Sequence, residues 1–257
     1  MFVTTGGRTN QYMIDKAKGI ADALDVMYVP RRKKSIHLLQ HDCDSDCLVV
    51  GKERLELYKK GETEPFFFHP NSAMFRIKRL LRGEHDPFAQ AAQLSKGKKI
   101  LDCTLGLAGD AIVASFLTGK SGQVIGIEGQ KYVAYIVQEG LCTWDPGFSE
   151  MKEARERIEV VRAPAFQFLK SLPDASYDCV YFDPMFDENI RESFGIRGLT
   201  KFAINDEFDD ALIMEALRVT KSRVVLKDHY KSDRFEKFGF KVSVRKNAKF
   251  HFGFIEK

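Results

Sequence analysis

The sequence predicts an open, doubly wound and mostly parallel α/β sheet from Lys99 onward, and three observations carry that expectation. Short apolar runs, suited to strands buried on both faces, alternate with segments of helical periodicity. Acids and glycines follow the apolar runs, where open parallel sheets bind their ligands. The last two runs alternate apolar and polar residues across a polar turn, which appends an antiparallel hairpin to the parallel sheet.

The elements follow in chain order. Phe2-Val3 reads as a short strand ended by Gly6-Gly7, and Gln11 to Leu24 as an amphipathic helix with Met13, Ala17, Ile20, Ala21 and Leu24 on one face. Leu48 to Val50 and Leu55 to Tyr58, parted by Gly51-Lys52, form a hairpin; Phe66 to Phe68 is a further strand stopped by Pro70. Residues 1–90 are therefore expected to form a small α+β domain, and Pro87 to Leu94 a connector helix. Residues 91–257 form the second domain. Its strands are Ile100-Leu101, Val124 to Ile127, Ile158 to Val161, Tyr177 to Phe182 and Arg223 to Leu226. The helices between them cover Ala111 to Leu117, Tyr132 to Gly140, Phe166 to Leu169 and Asp206 to Val219. Phe240 to Val244 and Phe250 to Ile255 are the closing hairpin.

Charge is unevenly spread. Residues 1–99 hold 18 Lys/Arg against 12 Asp/Glu, residues 100–215 hold 10 against 20, and residues 216–257 hold 12 against 4. Basic flanks around an acidic middle suit a nucleic-acid modifier that grips phosphates with its ends. No run approaches the ~18–20 apolar residues of a membrane span, and Met1 to Gly7 does not read as a secretory signal. Five cysteines form no disulfide framework, so a cytoplasmic location is expected. His41, Cys43 and Cys47, with His37 nearby, lack a second cysteine pair, and no metal is expected.

Three strand ends carry the candidate chemistry. Asp102, Thr104, Gly106, Gly109 and Asp110 make the first turn; Thr104 stands where a dinucleotide fingerprint needs glycine, which argues against NAD. A carboxylate there suits a cationic methionine moiety, so S-adenosylmethionine is the expected cofactor. Glu128, followed by Gly129, ends the second strand and suits ribose hydroxyls. Asp183, Pro184, Met185 and Phe186 end the fourth strand as the catalytic candidates. A carboxylate and carbonyls there accept an amino group's hydrogens while an aromatic ring stacks on its base. Lys227 and His229 at the fifth strand's end, with Arg76, are candidate substrate contacts.

The turn Asp102-x-Thr104-x-Gly106-Leu107-x-x-Asp110-Ala111 and the tetrad Asp183-Pro-Met-Phe186 resemble the small-subunit ribosomal RNA guanine-N2 methyltransferases, the RsmJ family. Arg54 to Tyr58, Phe68 to Ala73 and Arg223 to Lys227 extend the resemblance over about residues 48–257. It implies a Rossmann-like class I methyltransferase acting on guanine N2 of ribosomal RNA, free or within the small subunit. It further implies cofactor contacts from Gly109, Asp110, Glu128, Gly129 and Asp183, with Ala163, Pro164 and Ala165 beside the adenine. The family turn resembles Gly-Leu-Gly-Arg-Asp, whereas here Ala108 and Gly109 stand in place of the last Gly and the Arg. The alternatives are a same-fold methyltransferase on DNA, protein or a small molecule, and a non-catalytic RNA-binding assembly factor. Oligomeric state is left open.

Overall fold

The computed structural model describes residues 1–184, 199, 201–202 and 208–257. They divide into two compact units. One comprises Met1–His69 with Leu199, Lys201 and Phe202; the other comprises Pro70–Pro184 and Phe208–Lys257.

In the first unit β1 (Phe2–Thr5) leads through α1 (Gln11–Ala23) to β2 (Met27–Tyr28). The chain continues through α2 (Ile36–Cys43) to the hairpin of β3 (Cys47–Val50) and β4 (Leu55–Tyr58). Strand order is β2-β1-β3-β4, with β1 parallel to both β2 and β3 and β4 antiparallel to β3. Helix α1 starts where the Asn10 side chain accepts the Met13 N–H at 2.9 Å, and it buries Met13, Ala17, Ile20 and Ala21. The strand expected at Phe66–Phe68 is absent: Phe66 makes one isolated bridge to Leu57, with N–H bonds of 2.8 and 2.9 Å exchanged between them. Pro65 has no N–H to extend such a ladder, and Pro70 closes the other end.

The second unit begins with α3 (Asn71–Leu81) and α4 (Pro87–Ala91). A seven-stranded sheet follows: β5 (Lys99–Asp102), β6 (Gln123–Glu128), β7 (Ile158–Arg162), β8 (Tyr177–Phe182), β9 (Thr220–His229), β10 (Lys241–Ser243) and β11 (Phe250–Glu256). Its order is β7-β6-β5-β8-β9-β11-β10; the first five strands run parallel, and β11 pairs antiparallel with both β9 and β10. The sheet is clothed by α5 (Gly109–Thr118), α6 (Lys131–Thr143), α7 (Ser149–Glu156), α8 (Ala165–Ser171), α9 (Asp210–Val219) and α10 (Arg234–Lys237). Leu101, Ile125, Val180, Phe182 and Leu226 join Leu212, Ile213 and Ala216 of α9 in one buried cluster. Burial on both faces explains why the central strands read as unbroken apolar runs. Helix α9 starts at Asp210, capped by Asp209, whose carboxylate accepts the Leu212 N–H at 2.9 Å; the expected earlier start at Asp206 lies outside the described residues. Among the described residues no helix is long and apolar enough to cross a membrane.

Candidate functional site

Strand order reverses between β5 and β8, and the crevice for a ligand lies beyond their carboxyl ends. Asp102 closes β5 and Asp183 follows β8. Thr104 links them: its N–H donates to Asp102 Oδ1 at 3.0 Å, and its Oγ1 accepts the Asp183 N–H at 2.6 Å. The Cys103 N–H donates to the Tyr181 carbonyl at 2.9 Å, so the turn is tied to β8 at two points. Leu105 folds back over β6, its N–H on the Ile127 carbonyl at 3.0 Å. A Cβ at Gly126 would meet Leu105 Cδ1 at 2.3 Å, so a larger residue there would displace the Leu105 side chain that packs over the strand. The turn then enters α5 through Gly106 at φ +48° and Ala108 at φ +58°.

Behind the crevice lies a chain of charge. Arg76 of α3 donates bidentately to Asp86 at 2.7 and 2.9 Å, and to Asp110 Oδ1 at 2.6 Å. Tyr181 donates to Asp110 Oδ2 at 3.0 Å. Lys227 of β9 lies 3.6 Å from Asp110 and donates to Asp183 Oδ2 at 2.5 Å. Burial pushes the Asp110 carboxyl upward, but Lys227, Arg76 and the hydrogen bonds outweigh it and hold the group below the usual carboxylate range. For Asp183 burial prevails over Lys227, and its pKa is raised. Burial, opposed by the Thr104 N–H, lifts Asp102 to about 8, with Asp110 and Asp183 adding repulsion.

Each expected site residue can now be placed. Asp102, Thr104, Gly106, Gly109, Asp110 and Asp183 gather at the β5–β8 crevice. Glu128 ends β6, where its carboxylate accepts the Gln130 N–H at 2.9 Å, and Gly129 follows. Ala163, Pro164 and Ala165 join β7 to α8, with Pro164 at the helix cap. Pro184 directly follows Asp183; Met185 and Phe186 lie outside the described residues. Arg76 is committed to Asp86 and Asp110, so its side chain serves the site from behind. His229, at the end of β9, has its ring 4.6 Å from that of Tyr230. Sequence reasoning passed over Asp86 and Tyr181; the carboxylate that caps α4 and the phenol inside β8 carry no local signal of a shared arginine or aspartate. Among the described residues no group of three His, Cys, Asp or Glu side chains is placed to hold a metal.

A family model for SAM-dependent methyltransferases (SAM_MT) matches residues 31–251. The chain belongs to that family. It is 47% identical to the Bacillus subtilis protein YpiP, itself uncharacterised, over 99% of this chain and 98% of that one. It is 30% identical to the ribosomal RNA small subunit methyltransferase J of Legionella pneumophila, over 86% of this chain and 84% of that protein. The crystal structure of a SAM-dependent methyltransferase from Neisseria gonorrhoeae superimposes with a TM-score of 0.65 at 17% identity. That match covers 100% of this chain and 96% of the other, and it shows a shared fold. The protein is thus a class I methyltransferase with S-adenosylmethionine as its cofactor.

The residues present fit that cofactor. Among the described residues Asp86 and Asp110 share Arg76, Asp110 and Asp183 share Lys227, and Asp102, its pKa lifted by burial to about 8, gains a charge once a cation enters, so the crevice favours a positively charged guest. Asp102 is 2% exposed and has no cation at hydrogen-bonding distance among the described residues. A buried carboxyl so placed gains from an ammonium or sulfonium centre.

Proposed function

We propose that the protein methylates an exocyclic amino group of an RNA base, with guanine N2 of small-subunit ribosomal RNA as the target. The observation that carries this reading is the Asp183 carboxylate. Lys227 holds its Oδ2, while its Oδ1 is buried with no hydrogen-bond partner among the described residues. An orphaned acceptor of that kind is costly unless a donor arrives to meet it. The chain's similarity to methyltransferase J, whose name specifies small-subunit ribosomal RNA, supports the choice of substrate.

S-adenosylmethionine supplies an electrophilic methyl group, and Asp102, Thr104, Gly106, Gly109, Asp110, Glu128, Gly129, Ala163 to Ala165 and Asp183 are the residues that would hold it. An exocyclic NH₂ is a poor nucleophile because its lone pair is delocalised into the ring. Asp183 Oδ1 accepts one of its hydrogens and fixes the direction of the lone pair, so orientation provides the acceleration. The nitrogen sheds a proton after alkylation. Asp183 Oδ1, in a carboxyl whose burial raises its affinity for protons, is placed to hold it.

Asp183→Asn tests the assignment. Turnover on unmodified small-subunit RNA, at saturating S-adenosylmethionine, is expected to fall by a factor on the order of 100. Nucleoside mass spectrometry should show N2-methylguanosine. Undiminished turnover in the variant, or methyl transfer to another class of acceptor, would overturn the proposal.

A further inference from the structure

The first unit repeats on a small scale the layout that places ligands in parallel sheets. With β1 parallel to β2 on one side and to β3 on the other, the strand order reverses between β1 and β3. Ligand crevices form beyond the carboxyl ends of strands at such a reversal. A cavity of about 580 Å³ lies there. Gly6 and Gly7 after β1, Arg31 after β2, and Gly51, Lys52 and Arg54 after β3 line it.

The chemistry of the lining points to an anion. Arg54 cancels Glu56, at 2.7 Å, while stacking 3.7 Å over Phe67. Arg31 donates to the carbonyls of Thr5 at 3.0 Å and Lys34 at 2.9 Å, which orients its guanidinium at the end of β1 without cancelling its charge. Lys52 is exposed, and Glu53 offsets one charge, so the lining keeps one net positive charge. A Cβ added at Gly7 would meet nothing within 4 Å, so the floor is open to a guest. Planar guanidinium, ammonium and glycine backbone together suit a phosphate.

We propose that this crevice binds a phosphate of the RNA substrate's backbone. The phosphate chemistry stands on the crevice; its assignment to RNA rests on the function proposed above. Fluorescence anisotropy with a labelled single-stranded RNA, run on the full chain at several salt concentrations, provides the test. AMP serves as a free-nucleotide probe, and calorimetry with S-adenosylmethionine as the folding control. Two variants are compared with wild type. Arg31→Gln with Lys52→Gln removes two cations, and Gly7→Glu inserts a carboxylate where the backbone has room for it, so a folding defect in the first leaves the second informative.

Both variants are expected to bind RNA roughly tenfold more weakly. In the double variant the slope of log K against log salt should fall by about 0.7, the share of one single-strand phosphate contact. S-adenosylmethionine binding should stay unchanged. RNA affinity equal to wild type in both variants, with cofactor binding intact, overturns the proposal. Loss of AMP binding alone, with RNA binding untouched, overturns the RNA assignment and leaves a nucleotide site. A wild-type chain that binds no RNA at all refutes the RNA reading, and the AMP measurement then decides whether the crevice takes phosphate.

Discussion

Asp102 and Ala108 show how much one residue carries here. With its pKa raised to about 8, Asp102 stays protonated in the folded protein over a range where the unfolded chain has already lost that proton, near the ordinary 3.8. The folded state therefore binds the extra proton between those values, and stability falls as pH rises through that window. Asp102→Asn abolishes the dependence. Urea unfolding at pH 5, 7 and 8.5 should show the variant gaining on wild type as pH rises, and a constant difference would refute the buried carboxyl. Cofactor binding should release a proton below pH 8, because a cationic guest favours the carboxylate. Ala108 stands at φ +58° with its methyl fully buried, where the resembling family has glycine. Left-handed backbone costs about 1 kcal/mol, while the buried methyl contributes about 0.8 kcal/mol. Ala108→Gly should thus lie within about 1 kcal/mol of wild type. Ala108→Val, β-branched and in a packed site, should cost about 2 kcal/mol or more in denaturant melts.

At the scale of elements, pattern reading missed β2, α2, α3, α7 and α10, and of these α3 connects most directly to the site. Ala73, Ile77 and Leu80 fall at helical spacing, so the signal was present in the chain; Phe75 and Leu81, 63% and 52% exposed, lie off the buried stripe of Ala73 and Ile77 and blur it. Its Arg76 joins α3 to the capping residue of α4 and to the first turn of α5. Arg76→Ala would leave two largely buried carboxylates without their shared cation, and a loss of about 3 kcal/mol is expected. Lysine should not restore it, since an ammonium cannot reproduce the bidentate grip. A melt of Arg76→Lys matching wild type would show that the fork geometry is dispensable. Helix α7 was missed for a similar reason: Met151 and Ala154 are its only buried apolar residues in a charged run.

Across the whole molecule the uneven charge becomes a prediction about salt. Both basic segments offer exposed cations, whereas the crevice proposed for the cofactor is built from buried carboxylates. RNA affinity should therefore drop about tenfold or more between 50 and 200 mM salt, and S-adenosylmethionine affinity should change less than about twofold, because buried pairs are weakly screened. Equal salt sensitivity of the two ligands would place the cofactor's charge partners in open solvent.

The succession of strands from Lys99, the position of Asp102, Glu128 and Asp183 at strand ends, and the closing hairpin were legible in the chain because each rests on local pattern: unbroken apolar runs, a turn's glycines, alternation of period two. Long-range partnerships were not. Nothing near Arg76 announces Asp110, 34 residues away; nothing near Asp183 announces Lys227, 44 away. Arg76 read from sequence as a substrate contact; the fold gives it two carboxylates as partners, Asp86 and Asp110. The same holds for the first unit, where Gly6-Gly7 and the basic run at Arg31 to Lys34 were separate local features. They became neighbours only when β2 and β3 paired in parallel on either side of β1. Local pattern reports what each residue can do. Which charges meet is set by strand order, and strand order is settled by packing the whole core at once.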